Sequence, residues 1–303
     1  MFKSNLLNEV LQILSLNEFR TIVFRGCFDV LTKKDDTLLI KVLGNVDSFS
    51  EEHANNMKVM SNFLSAKSLT VSARCNRNRL SDNVVYSRFG IPIMSLGSFE
   101  TIIENDWLPS VLAVRGKHVV KIDIGLMKQN RKEMKMSLEE LSRKIKISKK
   151  SLYEIENERV DPSKETVEKL EDFFGVNLSK KYEIKVAESY HEVSPKSEFQ
   201  NKVYSKFSEM KIECSCLSSS PFEIIGKKKE VLLTGLSEDE RILEANSKIL
   251  SDISSFTNTL SVFIAKESQN KNVDGVPVIL DSEIDEIDNY RDFSGLIRER
   301  KSA

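Results

Sequence analysis

The chain reads as two α/β regions of the same internal order, placed on either side of a compact all-α segment. Three observations predict this. Around residues 136–176, short helix-forming stretches follow good capping residues in quick succession. The first and last thirds share landmarks in register. The composition, 40% hydrophobic and 30% charged over 303 residues, is that of a globular protein with room for two or three cores.

Taken in order, 6–14 is an amphipathic helix broken by Asn8 and Glu9, and with Asn5 before it the start does not read as a signal peptide. Residues 21–31 read as a strand and 33–36 as a turn. The stretch 37–43 (TLLIKVL) is apolar without alternation, as expected of a strand buried on both faces. A helix follows over 50–64, then strands at 69–73, 84–86 and 91–94, and a helix over 98–105. The last third repeats the order. Residues 28–39 align without a gap on 222–233. Ala54-Asn55 and Leu69-Thr70-Val71 match Ala245-Asn246 and Leu260-Ser261-Val262 at equal separation. Gly90-Ile91-Pro92-Ile93-Met94 matches Gly275-Val276-Pro277-Val278-Ile279. The expected layout is an α/β domain over 1–108, a connecting hairpin over 109–125 and an all-α domain over 126–179. A linker over 180–200, a second α/β domain over 201–290 and a charged tail over 291–303 complete it.

In the central segment Ser137 is an N-cap with Glu139 and Glu140 in the first turn, where the helix dipole favours negative charge. The helix it opens buries Leu138, Leu141 and Ile145. Ser148 caps a second helix, 149–157, with Leu152 and Ile155 on one face and Lys149, Lys150, Tyr153, Glu154 and Asn157 on others. Two short helices across a tight turn form a helix-turn-helix, whose second helix can enter a DNA major groove. Ser163 caps a closing helix with Val167, Leu170, Phe173 and Phe174, and Gly175 ends it. Residues 128–150 hold nine Lys or Arg against three Glu, an excess of six in a chain of formal net charge -1. Phosphate binding needs such a local cluster rather than a basic whole.

Leu138-x-x-Leu141-Ser142, Ile147-Ser148, Leu152-Tyr153-x-Ile155-Glu156 and Leu170-x-x-Phe173-Phe174 resemble the phage-repressor (Xre, Cro/C1) helix-turn-helix, a lambda-repressor-like domain, with 126–134 as its first helix. Ser142 stands where Ala is usual. Lys146 stands where Gly is common, so a left-handed residue there carries strain. The whole arrangement resembles a family of archaeal helix-turn-helix transcriptional regulators. The resemblance implies a double-stranded DNA partner. Ser148, Lys149, Lys150, Tyr153 and Asn157 are expected to face the major groove, and Lys128, Arg131, Lys144 and Lys146 to anchor the backbone. Glu154 and Glu156 read as structural. One such module buries too little surface for genomic specificity, so a homodimer on a two-fold site is expected.

Catalytic patterns are missing. Asp29 and the following Leu39-Ile40-Lys41 resemble the restriction-endonuclease core, but Leu39 occupies the place of the second acid. In the other copy Glu223 remains while Leu233 and Gly235 take the acid and Lys positions. Asp29 and Lys41 are therefore expected at the surface or at strand ends. No Gly-rich phosphate loop, nucleophile elbow or His-based metal motif occurs. The expectation is a non-enzyme without metal or cofactor, its effector unidentified. Two rival classes remain: a DNA-processing factor on a degenerate nuclease fold, and an antitoxin-like interaction scaffold. Cys27, Cys75, Cys214 and Cys216, scattered among three His, suit a reducing cytoplasm, and no apolar run has the ~18–20 residues of a membrane span. The hairpin around Arg115-Gly116-Lys117 and the lone His118 read as connecting structure.

Overall fold

The computed structural model describes residues 2–105, 108–114, 116–218 and 220–301. Helix α1 (Phe2–Leu16) leads into β1 (Arg20–Val23), β2 (Val30–Lys33) and β3 (Thr37–Leu43). Helix α2 (Glu51–Leu64) precedes β4 (Lys67–Ser72) and the small hairpin β5 (Arg74–Cys75) and β6 (Asn78–Arg79). Next come β7 (Val84–Arg88), β8 (Ile91–Met94) and α3 (Leu96–Asn105). The hairpin β9 (Val111–Val114) and β10 (Lys117–Val120) opens onto α4 (Ile124–Glu133), α5 (Leu138–Ile145), α6 (Lys149–Glu156) and α7 (Lys164–Phe174). After an irregular stretch come α8 (Glu198–Glu209), β11 (Glu213–Cys216), β12 (Ile224–Lys227), β13 (Val231–Ser237) and α9 (Glu240–Thr257). The chain closes with β14 (Leu260–Ala265), β15 (Asn272–Val273), β16 (Val276–Leu280), α10 (Asp281–Asp285) and α11 (Tyr290–Lys301). Mixed α/β sheets thus flank a helix-turn-helix region.

Two compact units interleave along the sequence. One holds residues 1–17, 43–48 and 69–184; the other holds 18–42, 49–68 and 185–303. In the first, β4 pairs parallel with β8 (Thr70 opposite Ile93), β8 antiparallel with β7, β7 parallel with β9, and β9 antiparallel with β10. The parallel β7–β9 pair attaches the hairpin to the sheet, and the hairpin attaches the helices. Val120 N–H donates to the Pro162 carbonyl (2.9 Å), and Asp123 N–H to that of Leu178 (2.8 Å). Val120 and Ile122 enter the helical core beside Met127, Leu141, Leu152, Ile155 and Leu170.

In the second unit β1, β2 and β3 form an antiparallel run. A six-stranded sheet has the order β11-β12-β13-β14-β16-β15, in which β13, β14 and β16 are parallel neighbours. The side chains of α2 hold the C-terminal part of this unit. Asn55 Nδ2 donates to the His191 carbonyl (2.7 Å) and Asn55 Oδ1 accepts His191 N–H (2.8 Å); Asn56 Nδ2 donates to Ser218 Oγ (2.8 Å).

Three expectations need correction. The stretch 21–31 is not one strand: the chain turns back over 24–29, closed by Phe24 N–H on the Asp29 carbonyl (3.1 Å) and by an edge-to-face Phe24–Phe28 pair at 4.2 Å. Burying two aromatic rings outweighs extension here. The charged tail over 291–303 is instead helix α11 as far as Lys301. Tyr290, Phe293 and Ile297 pack into the C-terminal core at helical spacing, with Arg291 and Asp292 between the first two and the remaining charges after Ile297. Asp29 and Lys41 lie inside the protein, at 3% and 5% exposure.

Candidate nucleic-acid interface

Each helix of the central segment starts where its capping residue dictates. Asp123 accepts the Leu126 N–H (3.0 Å) at α4. At α5 Ser137 and Glu140 form a reciprocal capping box, with Glu140 N–H on Ser137 Oγ (3.2 Å) and Ser137 N–H on Glu140 Oε2 (2.8 Å). Those Ser137 bonds hold the Glu140 carboxyl below its ordinary range. Ser148 accepts the Ser151 N–H (3.0 Å) at α6, and Ser163 the Thr166 N–H (3.2 Å) at α7. Helix α7 ends on Gly175 at φ 67. The turn between α5 and α6 passes through Lys146 at φ 56, the left-handed geometry that its place in the motif demands. Ser142 ties this turn: its hydroxyl donates to the Ile147 carbonyl at 2.6 Å. A hydroxyl where the motif usually carries a methyl thus supplies a bond.

Helix α6 buries Leu152, Ile155 and Glu156 and leaves Lys149, Lys150, Tyr153 and Asn157 in solvent, with the N-cap Ser148 exposed beside them. Lys149 reaches Glu139 across the turn at 3.3 Å, both side chains largely exposed. Tyr153 is 46% exposed under the Arg159 guanidinium (5.5 Å), and Arg159 pairs in turn with Glu154 (3.3 Å). Asn157 turns its amide back onto the Tyr153 carbonyl (2.7 Å), where it finishes the helix. Lys144, Lys146 and Lys150 are exposed and make no ion pair among the described residues, and Lys128 is half-buried on α4.

Arg131 departs from its expected place as a backbone anchor. Its Nε and Nη2 donate to Glu156 Oε1 (2.7 Å) and Oε2 (3.0 Å), and its Nη1 to the Met136 carbonyl (2.7 Å). The Glu156 carboxylate, by these bonds, holds the guanidinium pKa above its ordinary value. Every nitrogen of the fork is occupied inside the domain, so Arg131 ties α4 to α6 and is withdrawn from the phosphate-contact set. The structural reading of Glu156 accords with this.

The nuclease-like positions form a second feature. Asp29 precedes β2, and its Oδ2 accepts the Val42 N–H at 2.9 Å. Lys41 Nζ lies 3.5 Å from that carboxylate and donates to the Gly26 carbonyl at 2.6 Å. Leu39, in the place of the second acid, is fully buried. In the C-terminal sheet, Glu223 Oε2 accepts the Leu236 N–H at 2.7 Å, while a Cβ on Gly235 would lie 2.2 Å from the Phe263 ring. Burial pushes the Glu223 carboxyl up to about 6. Burial likewise pushes the thiols of Cys27, Cys214 and Cys216 up to about 12, far from reactive thiolates. Among the described residues no group of three or more His, Cys, Asp and Glu could hold a metal ion. None of the described helices is long and apolar enough to cross a membrane.

Comparison with known proteins agrees with this geometry. Residues 127–181 match the helix-turn-helix family, and residues 3–108 match the PD-(D/E)XK superfamily domain. Full-length archaeal proteins, provisionally named HTH-type transcriptional regulatory proteins, align end to end. That of Methanosarcina mazei is 31% identical over 325 residues, covering 100% of this chain and 99% of its own. The chain belongs to this archaeal family. The HTH-type regulatory protein of Pyrococcus horikoshii is 31% identical over 99% of both chains, and that of Methanothermobacter thermautotrophicus 28% over 99% of this chain and 98% of its own. No solved structure matches. The helix-turn-helix of this chain was legible from its caps. The Arg131–Glu156 tie was missed because its partners are 25 residues apart and nothing in a local window pairs them.

Proposed function

We propose that the chain is a sequence-specific, double-stranded DNA-binding transcriptional regulator that acts as a homodimer. Helix α6 enters the major groove. The observation that carries this reading is the α5–α6 pair, whose caps and left-handed turn present Ser148, Lys149, Lys150, Tyr153 and Asn157 on one solvent-facing element. Lys128, Lys144 and Lys146 supply phosphate contacts around it. The two-fold arrangement follows from the small footprint of one module. Four free thiols, none of them in a disulfide, suit a reducing cytoplasm.

The two α/β regions are read as a repeat with boundaries near 1–108 and 201–290. Supporting this, Asp29 and Glu223 occupy aligned positions and accept the N–H of Val42 and Leu236, each 13 residues on. Helix, antiparallel β-hairpin and third strand, helix, parallel strand and Gly-x-Pro strand recur in the same order. The regions are read as non-enzymatic. Buried Leu39 cannot ligate Mg2+, and Asp29 and Lys41 are already committed to each other and to backbone groups. A DNA-processing role is favoured only by the surviving Asp29–Lys41 pair.

A selection from genomic fragments at physiological salt, run beside Lys149→Ala/Lys150→Ala protein, tests the regulator reading. Recovery of a palindromic site that the double variant loses is expected. Enrichment of the same site by both proteins would remove α6 as the reading element. Mg2+-dependent cutting that Asp29→Ala abolishes would overturn the non-enzymatic reading.

A further inference from the structure

The helix-turn-helix leaves a second basic feature unexplained. The hairpin β5–β6 places Arg74 directly opposite Arg79 in register, with Arg77 in the turn between them. Like charges facing each other across two strands repel, and none of these three arginines has an ion-pair partner among the described residues. The hairpin is nevertheless held firmly. Asn76, left-handed at φ 52, donates its N–H to Asp47 Oδ2 (2.9 Å), and Asp47 Oδ1 is braced by Arg88 (3.3 Å). Leu80, just beyond, is buried against Val46 and Ile93. A held mount thus presents three solvent-facing guanidinium groups, two of them directly opposed, whose repulsion a bound anion would relieve.

What they border is a groove of about 790 Å³, within the size range of small-molecule sites. Its floor is apolar, formed by Leu6, Leu43, Leu80 and Leu96. It opens beyond the carboxyl ends of the parallel strands β4 and β8, at Ser72 and Ser95, where open α/β sheets bind ligands. Two acids share its wall with the arginines, Glu9 and Asp82, and Asp82 accepts the Ser95 hydroxyl at 2.5 Å. The end of parallel strand β14 in the C-terminal sheet makes a contrast: there Lys266 is neutralised by Glu238 at 2.8 Å.

We propose that this groove binds a small phosphorylated organic molecule. Its phosphate bridges Arg74, Arg77 and Arg79, and its apolar body rests on the leucine floor. Arginine forks suit a phosphate because two parallel N–H bonds can meet two of its oxygens.

Calorimetric titration of the full chain with AMP, adenosine, inorganic phosphate and a single-stranded dodecamer tests this. AMP is expected to bind more tightly than phosphate, and adenosine weakest of the three. The Arg74→Ala/Arg77→Ala/Arg79→Ala protein is expected to lose at least about tenfold in AMP affinity. Arg79→Gln checks the fold independently of ligand: relief of the facing charges is expected to keep or raise the ligand-free melting temperature. Absence of AMP binding up to about 10 mM, or binding that the triple variant retains, overturns the proposal. Tighter binding of the dodecamer than of AMP overturns the small-molecule assignment.

Discussion

Removing Glu156 is the sharpest test of how the recognition unit is held together. Glu156 is 5% exposed and accepts two bonds from Arg131, whose side chain is 15% exposed. Glu156→Ala leaves a largely buried guanidinium without its carboxylate, and breaking a buried pair on one side costs about 3–5 kcal/mol. Arg131 keeps some contact with water and its bond to the Met136 carbonyl, which lowers the expected cost to about 2–4 kcal/mol. Arg131→Ala costs a similar amount, because the buried carboxylate is then unpaired. The variant Arg131→Met/Glu156→Leu removes both charges and fills the space, so it is expected within about 1 kcal/mol of the parent or above it. The chain has two compact units, so hydrogen exchange read over α4–α7 reports this better than one global transition. A loss of 2–4 kcal/mol accelerates exchange there by about 30- to 1,000-fold. If Arg131→Ala leaves exchange unchanged and instead lowers DNA affinity with a salt slope reduced by about one, Arg131 is a phosphate contact and the argument is wrong.

Two further outcomes follow from single residues. Lys146 sits at φ 56, where an L-residue costs about 1–2 kcal/mol, so Lys146→Gly is expected to raise the stability of the helical segment by up to about 1 kcal/mol. It should also weaken DNA binding through the lost charge; a stability loss would show that the turn is not strained. Glu223 has its carboxyl raised to about 6, so its favourable contribution is complete below about 4.5 and is lost as pH rises through 6. Glu223→Gln should therefore match the parent near pH 4.5 in urea unfolding and exceed it by about 1–2 kcal/mol at pH 7.5. An identical gain at both pH values would exclude titration as the cause.

The helical segment was legible because its signals are local. Ser137, Ser148, Ser163 and Gly175 each set an end within four residues of their own position, and the apolar spacing between them is read from a short window. Strand β3 was legible for a similar reason, since an unbroken apolar run has one simple explanation. The burial of Asp29 and Lys41 was not legible. Each appears in the sequence as an ordinary charge, and only the strand pairing that brings Asp29 beside Val42 turns them into a closed pair. Helix α11 was misread because its six charged positions outnumber Tyr290, Phe293 and Ile297, the aromatic and aliphatic residues it buries. Arg74 and Arg79 passed unnoticed for the opposite reason: the strands they face across are two residues long, too short to leave a pattern.

The two nuclease-like positions argue about what the α/β regions have kept. A catalytic carboxylate must reach solvent and a metal, so its geometry would be held by groups that leave its oxygens free. Asp29 and Glu223 do the reverse: each spends an oxygen on the backbone N–H 13 residues ahead, stapling the segment before one strand to the end of the next. The surroundings of this bond differ between the two regions. In one region the neighbouring position is Lys41, which neutralises the buried acid and caps the Gly26 carbonyl. In the other it is Gly235, where the Phe263 ring fills the space that a side chain would need, and burial raises the carboxyl to about 6. Both buried carboxylates thus keep the bond to the N–H 13 residues ahead and differ in what surrounds it.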